Sequence, residues 1–72
     1  MPERLVYEVR PHRRGWSVRR RGASRHTAVI GAKADAVIRA RALAKKRSGE
    51  VLVLGADGRV HDRYTYGSPE VR

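Results

Sequence analysis

The sequence contains no cysteine, asparagine, glutamine or phenylalanine, and only one tryptophan among its 72 residues. Without cysteine, the fold has neither disulfides nor a thiolate zinc site, and a cytoplasmic location is expected. Without asparagine and glutamine, the chain lacks the side chains best suited to reading adenine in DNA. Apolar runs are short, and the start MPERLVYEVR has no signal-peptide core, so we predict no membrane span and no export signal.

The length allows one domain, since a chain of 72 residues buries only about 60% of the surface that its unfolded form exposes. We predict a single domain over residues 1–72, ordered over about 4–66, with a loose tail over 67–72. Packing must stabilise it, with or without a second copy of the chain. A homodimer through a sheet edge stays open.

Positive charge is the strongest feature of the composition. Lysine and arginine number 17 against 7 acidic residues, for a formal net charge of +10, and 14 of the cations are arginine. Arginine presents a planar fork to phosphate and stacks on bases, whereas lysine is a point charge. The charge therefore indicates a polyanionic partner, and it favours phosphate backbones over acidic proteins.

The first half of the chain predicts three strands. Residues 5–10, LVYEVR, alternate in polarity with a period of two, and Pro11 ends this strand. The segment PHRRG is typical of a turn and returns the chain as a hairpin, whose second strand starts at Trp16. After a further turn, GAS, the segment RHTAVI over 25–30 predicts the third strand.

The helical period appears in residues 33–47, KADAVIRARALAKKR. Gly49 is predicted to end this helix in the left-handed conformation. Ile38 falls opposite the apolar stripe and is either an isolated exposed residue, which we favour, or a subunit contact. The stripe itself consists of Ala36, Val37, Ala40, Leu43 and Ala44.

Two more strands follow the helix. EVLVL over 50–54 is apolar and predicts a strand covered on both faces, and the turn GADGRV leads into RVHDRYTY over 59–66. In that last strand, one face carries Val60, Asp62, Tyr64 and Tyr66, and the other carries Arg59, His61, Arg63 and Thr65. The order β-β-β-α-β-β predicts an α+β fold, a small antiparallel sheet with one helix packed on one face.

A resemblance covers nearly the whole chain. The strings GWSV, KADAVIRARALAKKRSGEVLVLGADGRV and YG occur in this order over about residues 7–67. In this combination the sequence resembles the small bacterial proteins grouped as domain of unknown function 2188. The resemblance implies a short bacterial α+β protein and brings no activity, cofactor or site residue with it.

No arrangement typical of catalysis is present, so we predict that the protein is not an enzyme. His12, His26 and His61 are the only imidazoles, and their spacing is not that of a metal site or a zinc hydrolase. The serines have no nucleophile-elbow context, and Asp57 is explained by its turn. We therefore predict no catalytic residue, no metal ligand and no cofactor.

An arginine-rich sheet face is the candidate site. If the helix covers the face of Trp16, the pleat turns residues of the other parity toward solvent. The four aromatic residues share the parity of the core, so base stacking by them is disfavoured. Arginine forks can hold phosphates or guanine, and a β-ribbon fits the major groove. The predicted nucleic-acid-binding residues are Arg10, Arg13, Arg14, Arg19, Arg21, Arg59 and Arg63.

These features predict a small basic nucleic-acid-binding protein for DNA or structured RNA, with mainly non-specific contacts to the backbone. The alternative is a protein-interaction or oligomerisation module with a generically basic surface. Arg39 and Arg41 on the helix favour this alternative, because they spread charge around the molecule. A compositional bias toward arginine that only solvates the surface also stays open.

Overall fold

The chain folds into five strands and one helix over residues 5–67, the part that a computed structural model describes. The elements are β1 Val6–His12, β2 Gly15–Arg20, β3 Ala28–Ile30, α1 Lys33–Lys46, β4 Glu50–Leu54 and β5 Val60–Thr65. This confirms the predicted order and the α+β class. Apart from Gly67, the predicted tail over 67–72 lies outside the described residues. The helix found within residues 5–67 lacks the length and apolarity needed to cross a membrane.

The five strands form one sheet in the order β3-β2-β1-β4-β5. Three pairings are antiparallel, but β1 and β4 run parallel, so the prediction of a wholly antiparallel sheet is wrong in this respect. The reason is the connection. Two hairpins reverse the chain twice, and α1 then carries it back along the sheet. As a result, β4 starts at the same end of the sheet as β1 and runs in the same direction.

The hairpin between β1 and β2 is tighter than predicted. Pro11 does not end β1, because it pairs with Trp16, and His12 pairs with Gly15. Pro11 is tolerated because the ladder between β1 and β4 stops two residues earlier, at Val9. Gly15 has a φ of +131°, and a Cβ there would collide with the backbone of the neighbouring β3 end, so glycine is required.

The core lies between α1 and one sheet face. Three alanines spaced by four residues, Ala36, Ala40 and Ala44, are fully buried and let the helix approach the sheet closely. Trp16 is half-buried and packs against this core, which confirms its predicted side. The sheet contributes Val9, Val18, Val51 and Val53. Ile38, on the far side of the helix, is 63% exposed.

The left-handed residue that caps the C-terminus of the helix is Ser48 rather than Gly49. Ser48 has the positive φ, 53°, and its N–H and that of Gly49 donate to the carbonyls of Lys45 and Ala44. This is a Schellman arrangement with serine at the left-handed position. Gly49 is needed for another reason, because a Cβ there would lie 2.6 Å from the Leu5 carbonyl oxygen. The predicted cap was therefore one residue out.

A bulge changes the parity of the last strand. Val53 pairs with Asp62, whereas Leu54 pairs with Val60, so His61 is the extra residue. Val60 therefore lies on the face away from the helix, opposite to the prediction. Arg59 precedes β5, and its carbonyl accepts a hydrogen bond from the Gly55 N–H within the turn. The predicted sides of Asp62 and Arg63 are confirmed by their partners in β4.

Candidate nucleic-acid interface

The sheet face away from α1, called the outer face from here on, collects arginines from both halves of the chain. Arg10 belongs to β1, Arg19 to β2 and Arg63 to β5, and all have the parity opposite to that of the core valines. Arg21 follows β2 directly and reaches the same face. Four of the seven predicted binding arginines therefore share one surface, as strand parity predicted.

The pairing register arranges these residues in rows across the sheet. Glu8 lies opposite Arg19 on one side and Leu52 on the other, and Leu52 in turn lies opposite Arg63. The middle row of the outer face is thus Arg19, Glu8, Leu52, Arg63. Cations occupy its two ends, and a carboxylate and an apolar side chain occupy its middle.

Two glutamates hold three of the arginines in place. Arg10 Nη2 donates to Glu8 Oε1 at 3.2 Å, and Arg21 Nε donates to Glu8 Oε2 at 3.0 Å. Arg63 Nε lies 3.1 Å from Glu50 Oε2. The Glu8 and Glu50 side chains are only 12% and 19% exposed, so the arginines cover them. These bonds fix the guanidinium groups and lower the net positive charge of the face.

Sequence reasoning missed this role of the glutamates. The period-two alternation of LVYEVR gives Glu8 the same parity as Arg10. For Glu50 the signal was its parity with Leu52, but its arginine partner lies on a strand whose register only the fold reveals. The sequence pattern alone therefore locates Glu8 beside an arginine, but it does not locate Glu50 beside one.

Aliphatic stems of the long side chains shield the middle of the outer face. Leu52 and Leu54 are buried although they point away from the helix, and so is Ser17, at 1% exposure. Long charged side chains commonly cover apolar surface in this way while their heads stay in water. Arg10 Nε is buried and has no hydrogen-bond partner within residues 5–67. Arg10 also lines a shallow depression of about 250 Å³ next to Pro11.

The tip of the β1–β2 hairpin extends the basic surface. Arg13 and Arg14 form the turn itself and are exposed, as predicted. The Arg14 N–H donates to His12 Nδ1 at 3.1 Å, which holds the turn closed. The His12 ring meets the His26 ring edge-on, with 5.2 Å between centroids. The outer face and this tip together carry six arginines and two glutamates.

Arg59 stands apart from this surface. It lies in the turn between β4 and β5, and its N–H donates to Asp57 Oδ1 at 3.0 Å. The prediction that it joins the other arginines on a strand is therefore wrong, because the strand begins only at Val60. The same turn brings His61 Nε2 to 3.5 Å from Asp57.

Helix cations pack on the aromatic rings and keep their positive charge on the helix side of the molecule. Arg41 lies over Tyr64, 4.5 Å from the ring centroid, and its Nε donates to the Tyr66 hydroxyl. That hydrogen bond raises the pKa of Arg41 above its ordinary value, while burial acts in the opposite direction. Lys33 Nζ lies 5.4 Å from the Trp16 centroid. These cations stabilise the aromatic rings beside the helix.

Titratable residues are not grouped for metal binding in the part of the chain that the structure describes. Within residues 5–67, no three histidine or acidic side chains come close enough together to hold an ion. The outer face offers the guanidinium groups of Arg10, Arg19, Arg21 and Arg63 and the carboxylates of Glu8 and Glu50.

Comparisons with known proteins give a family. A family model described as "Uncharacterized protein conserved in bacteria", domain of unknown function 2188, matches residues 7–66. The chain is also 37% identical over 57 residues to the uncharacterized protein YdaT of Bacillus subtilis strain 168. That alignment covers 79% of this chain and 38% of the relative, so the chain spans well under half of the relative's length. No solved structure matches.

The family match covers nearly all of the five strands and the helix, from β1 through β5. It includes every residue of the outer face described above. The resemblance indicated by GWSV and by the helix and β4 segment is thereby confirmed. The chain belongs to the bacterial family called domain of unknown function 2188.

Proposed function

We propose that this protein binds nucleic acid through its outer face and the β1–β2 hairpin tip, mainly by contacts between arginine and the phosphate backbone. One observation carries the proposal. Within residues 5–67, arginines from β1, β2 and β5 converge on the sheet face that no helix covers. The arginines of the outer face are Arg10, Arg19, Arg21 and Arg63, and those of the hairpin tip are Arg13 and Arg14.

The charge balance supports a polyanion as the partner. Six arginines against two glutamates leave four net positive charges on this surface, and the whole chain carries +10. The arginines bound to Glu8 and Glu50 are already ordered, so that less side-chain entropy is lost when they meet phosphate. Arg19 supplies a further fork at the end of the middle row.

Binding with little sequence preference fits the side chains available. Neutralising a backbone needs only positive charge, whereas reading bases needs a fixed set of forks and amides. The chain has no asparagine or glutamine, so base contacts are limited to arginine on guanine and to the few carboxylates and hydroxyls. A protein with this role works beside bacterial nucleic acid, and we place it in the cytoplasm.

A titration of a random-sequence DNA duplex at about 50 mM and 200 mM salt tests the proposal. We expect a dissociation constant below about 100 μM at the lower salt, since non-specific binders reach about 10⁻⁴ to 10⁻⁶ M even at physiological salt. The logarithm of affinity should fall against the logarithm of salt with a slope of about −3 to −5. Weaker binding, or no salt dependence, contradicts the proposal.

A protein-interaction module is the second candidate, and the two glutamates favour it. Glu8 and Glu50 occupy three arginines, which leaves the outer face with a mixture of charges and with buried leucines beneath them. Polyglutamate of matched charge separates the two candidates in the same titration. Binding to polyglutamate as tight as that to DNA favours a generic acidic partner.

A homodimer stays a prediction. Ile38 is exposed on α1, and β5 forms an edge of the sheet within the described residues. The centre of that edge carries His61, Asp62 and Arg63, and charged residues on an edge oppose pairing with another copy. Sedimentation equilibrium of the protein alone measures whether the chain is monomeric.

A further inference from the structure

We infer, resting on the proposed function, that the ligand is B-form duplex DNA and that the outer face lies across its major groove. In this arrangement Arg19 and Arg21 meet one phosphate backbone and Arg63 meets the other. Glu8 then lies above the floor of the groove, between the two backbones. Charge complementarity, the width of the face and the placement of its acids carry this inference.

The width of the middle row fits the major groove. Arg19 and Arg63 are separated by Glu8 and Leu52, which makes three steps between neighbouring strands. At about 4.8 Å a step, their Cα atoms lie roughly 14 Å apart. The major groove of B-DNA is about 12 Å wide and the minor groove about 6 Å. Arginines at the two ends of the row can therefore reach both backbones of the wider groove.

The position of Glu8 distinguishes a groove from a single backbone. A carboxylate is repelled by phosphate, so an acid at the centre of a binding face has to lie away from the backbones. With the outer face across the major groove, Glu8 lies beneath Arg10 and Arg21 and away from both backbones.

The aromatic residues argue against single strands. Proteins that bind single-stranded nucleic acid stack bases on aromatic side chains of an open sheet. All four aromatic residues of this chain pack against the core on the helix side, namely Tyr7, Trp16, Tyr64 and Tyr66. The outer face therefore has cations to hold a backbone and lacks a tyrosine or tryptophan on which an unpaired base could stack.

The groove geometry also argues against duplex RNA. The major groove of an A-form helix is deep and narrow, and side chains cannot reach into it. A face with cations at both ends of a row about 14 Å long matches the accessible major groove of the B form better. We therefore expect DNA duplexes to be preferred over RNA duplexes of the same sequence.

The first test compares three ligands of one sequence, a DNA duplex, the DNA single strand and an RNA duplex, at equal salt. We expect the DNA duplex to bind about tenfold more tightly than either competitor. Methyl green, which occupies the major groove, should displace the protein, whereas netropsin in the minor groove should not. Equal or tighter binding of the single strand or the RNA overturns the inference and leaves nucleic-acid binding intact. Binding of none of them contradicts the proposed function itself.

The second test uses Glu8→Gln, with Asp62→Asn as the matched control. Both changes remove one negative charge, but Asp62 is exposed and pairs with Val53, on the helix side of the sheet. Glu8→Gln should lower the preference for duplex over single strand by about threefold or more, because the acid no longer disfavours a backbone at the centre of the face. Asp62→Asn should leave that ratio unchanged.

The readout of this second test is the ratio of two affinities, and Asp62→Asn measures how far a general gain in positive charge changes that ratio. Circular dichroism confirms that both variants keep the fold. Equal ratios in the two variants overturn the assignment of Glu8 to the groove. If Glu8→Gln does not fold, the three-ligand comparison and the methyl green displacement still decide the inference.

Discussion

The two faces of the sheet are built from the same strands and differ in almost every property. The helix side holds valines, alanines and all four aromatic rings, and its largest buried side chains are fully enclosed. The outer face holds arginines with two shielded glutamates. In β2 the contrast falls between neighbours, since Val18 is fully buried and Arg19 lies on the other side. Strand parity thus builds the core and the candidate binding face together.

The largest expected effect separates these two neighbours. Val18→Asp places a charge in the fully buried core and should cost about 4 kcal/mol, comparable to the whole stability of a small domain. Arg19→Asp should leave the fold intact and weaken DNA binding. Thermal melting followed by circular dichroism measures the first effect, and a duplex titration measures the second. A folded Val18→Asp variant contradicts the assignment of the two faces.

A smaller effect tests how closely the helix lies on the sheet. Ala40 is fully buried, so Ala40→Leu should overpack the interface and lower the free energy of unfolding by about 1–3 kcal/mol. Ala42, two residues along, is exposed, and Ala42→Leu should change the free energy by less than about 0.5 kcal/mol. Urea unfolding of both variants measures the difference. Equal losses mean that the helix does not approach the sheet through its alanines.

Gly49 lies in the joint between α1 and β4. Gly49→Ala should destabilise the fold by about 1–2 kcal/mol. The new Cβ would lie 2.6 Å from the backbone oxygen of Leu5, so the segments around Gly49 and Leu5 would have to move apart. This joint sets which β4 residues face the helix, so the change affects both faces at once. A neutral effect in urea unfolding is evidence against this close approach.

The smallest effect is a gain. Ser48 holds a φ of 53°, which costs a residue with a side chain free energy that glycine does not lose. Ser48→Gly should therefore stabilise the fold by about 0.5–1 kcal/mol without changing either face. The same urea series measures it, and the DNA affinity of the variant should equal that of the parent. A loss of stability contradicts the assignment of Ser48 to the left-handed position.

Local patterns predicted most of the fold. The period of two located β1 and β2 within about two residues, the apolar run EVLVL located β4, and the period of 3.6 located α1 nearly to its ends. The family resemblance pointed to the same class of fold. Parity also put Arg10, Arg19, Arg21 and Arg63 on one face before any pairing was known.

The misplaced cap at Ser48 is a local error, whereas the errors in strand pairing depend on residues distant in the sequence. The parallel pairing of β1 with β4 follows from a crossover that no local window contains. The bulge that turns Val60 outward arises from the register with β4, and Pro11 continues β1 because its neighbouring strand stops short. Glu50 became a partner of Arg63 for the same reason. Non-local register is the information that the sequence pattern did not carry.

The central claim is that DNA binding belongs to the outer face and not to positive charge in general. Two triple variants with equal loss of charge test it. Arg19, Arg21 and Arg63 change to alanine in one, and the exposed cations Arg39, Lys46 and Arg47 of the helix and its C-cap change to alanine in the other. At about 100 mM salt, the outer-face variant should lose on the order of 100-fold in duplex affinity and the helix variant only a few-fold. Equal losses in two folded variants would contradict the claim.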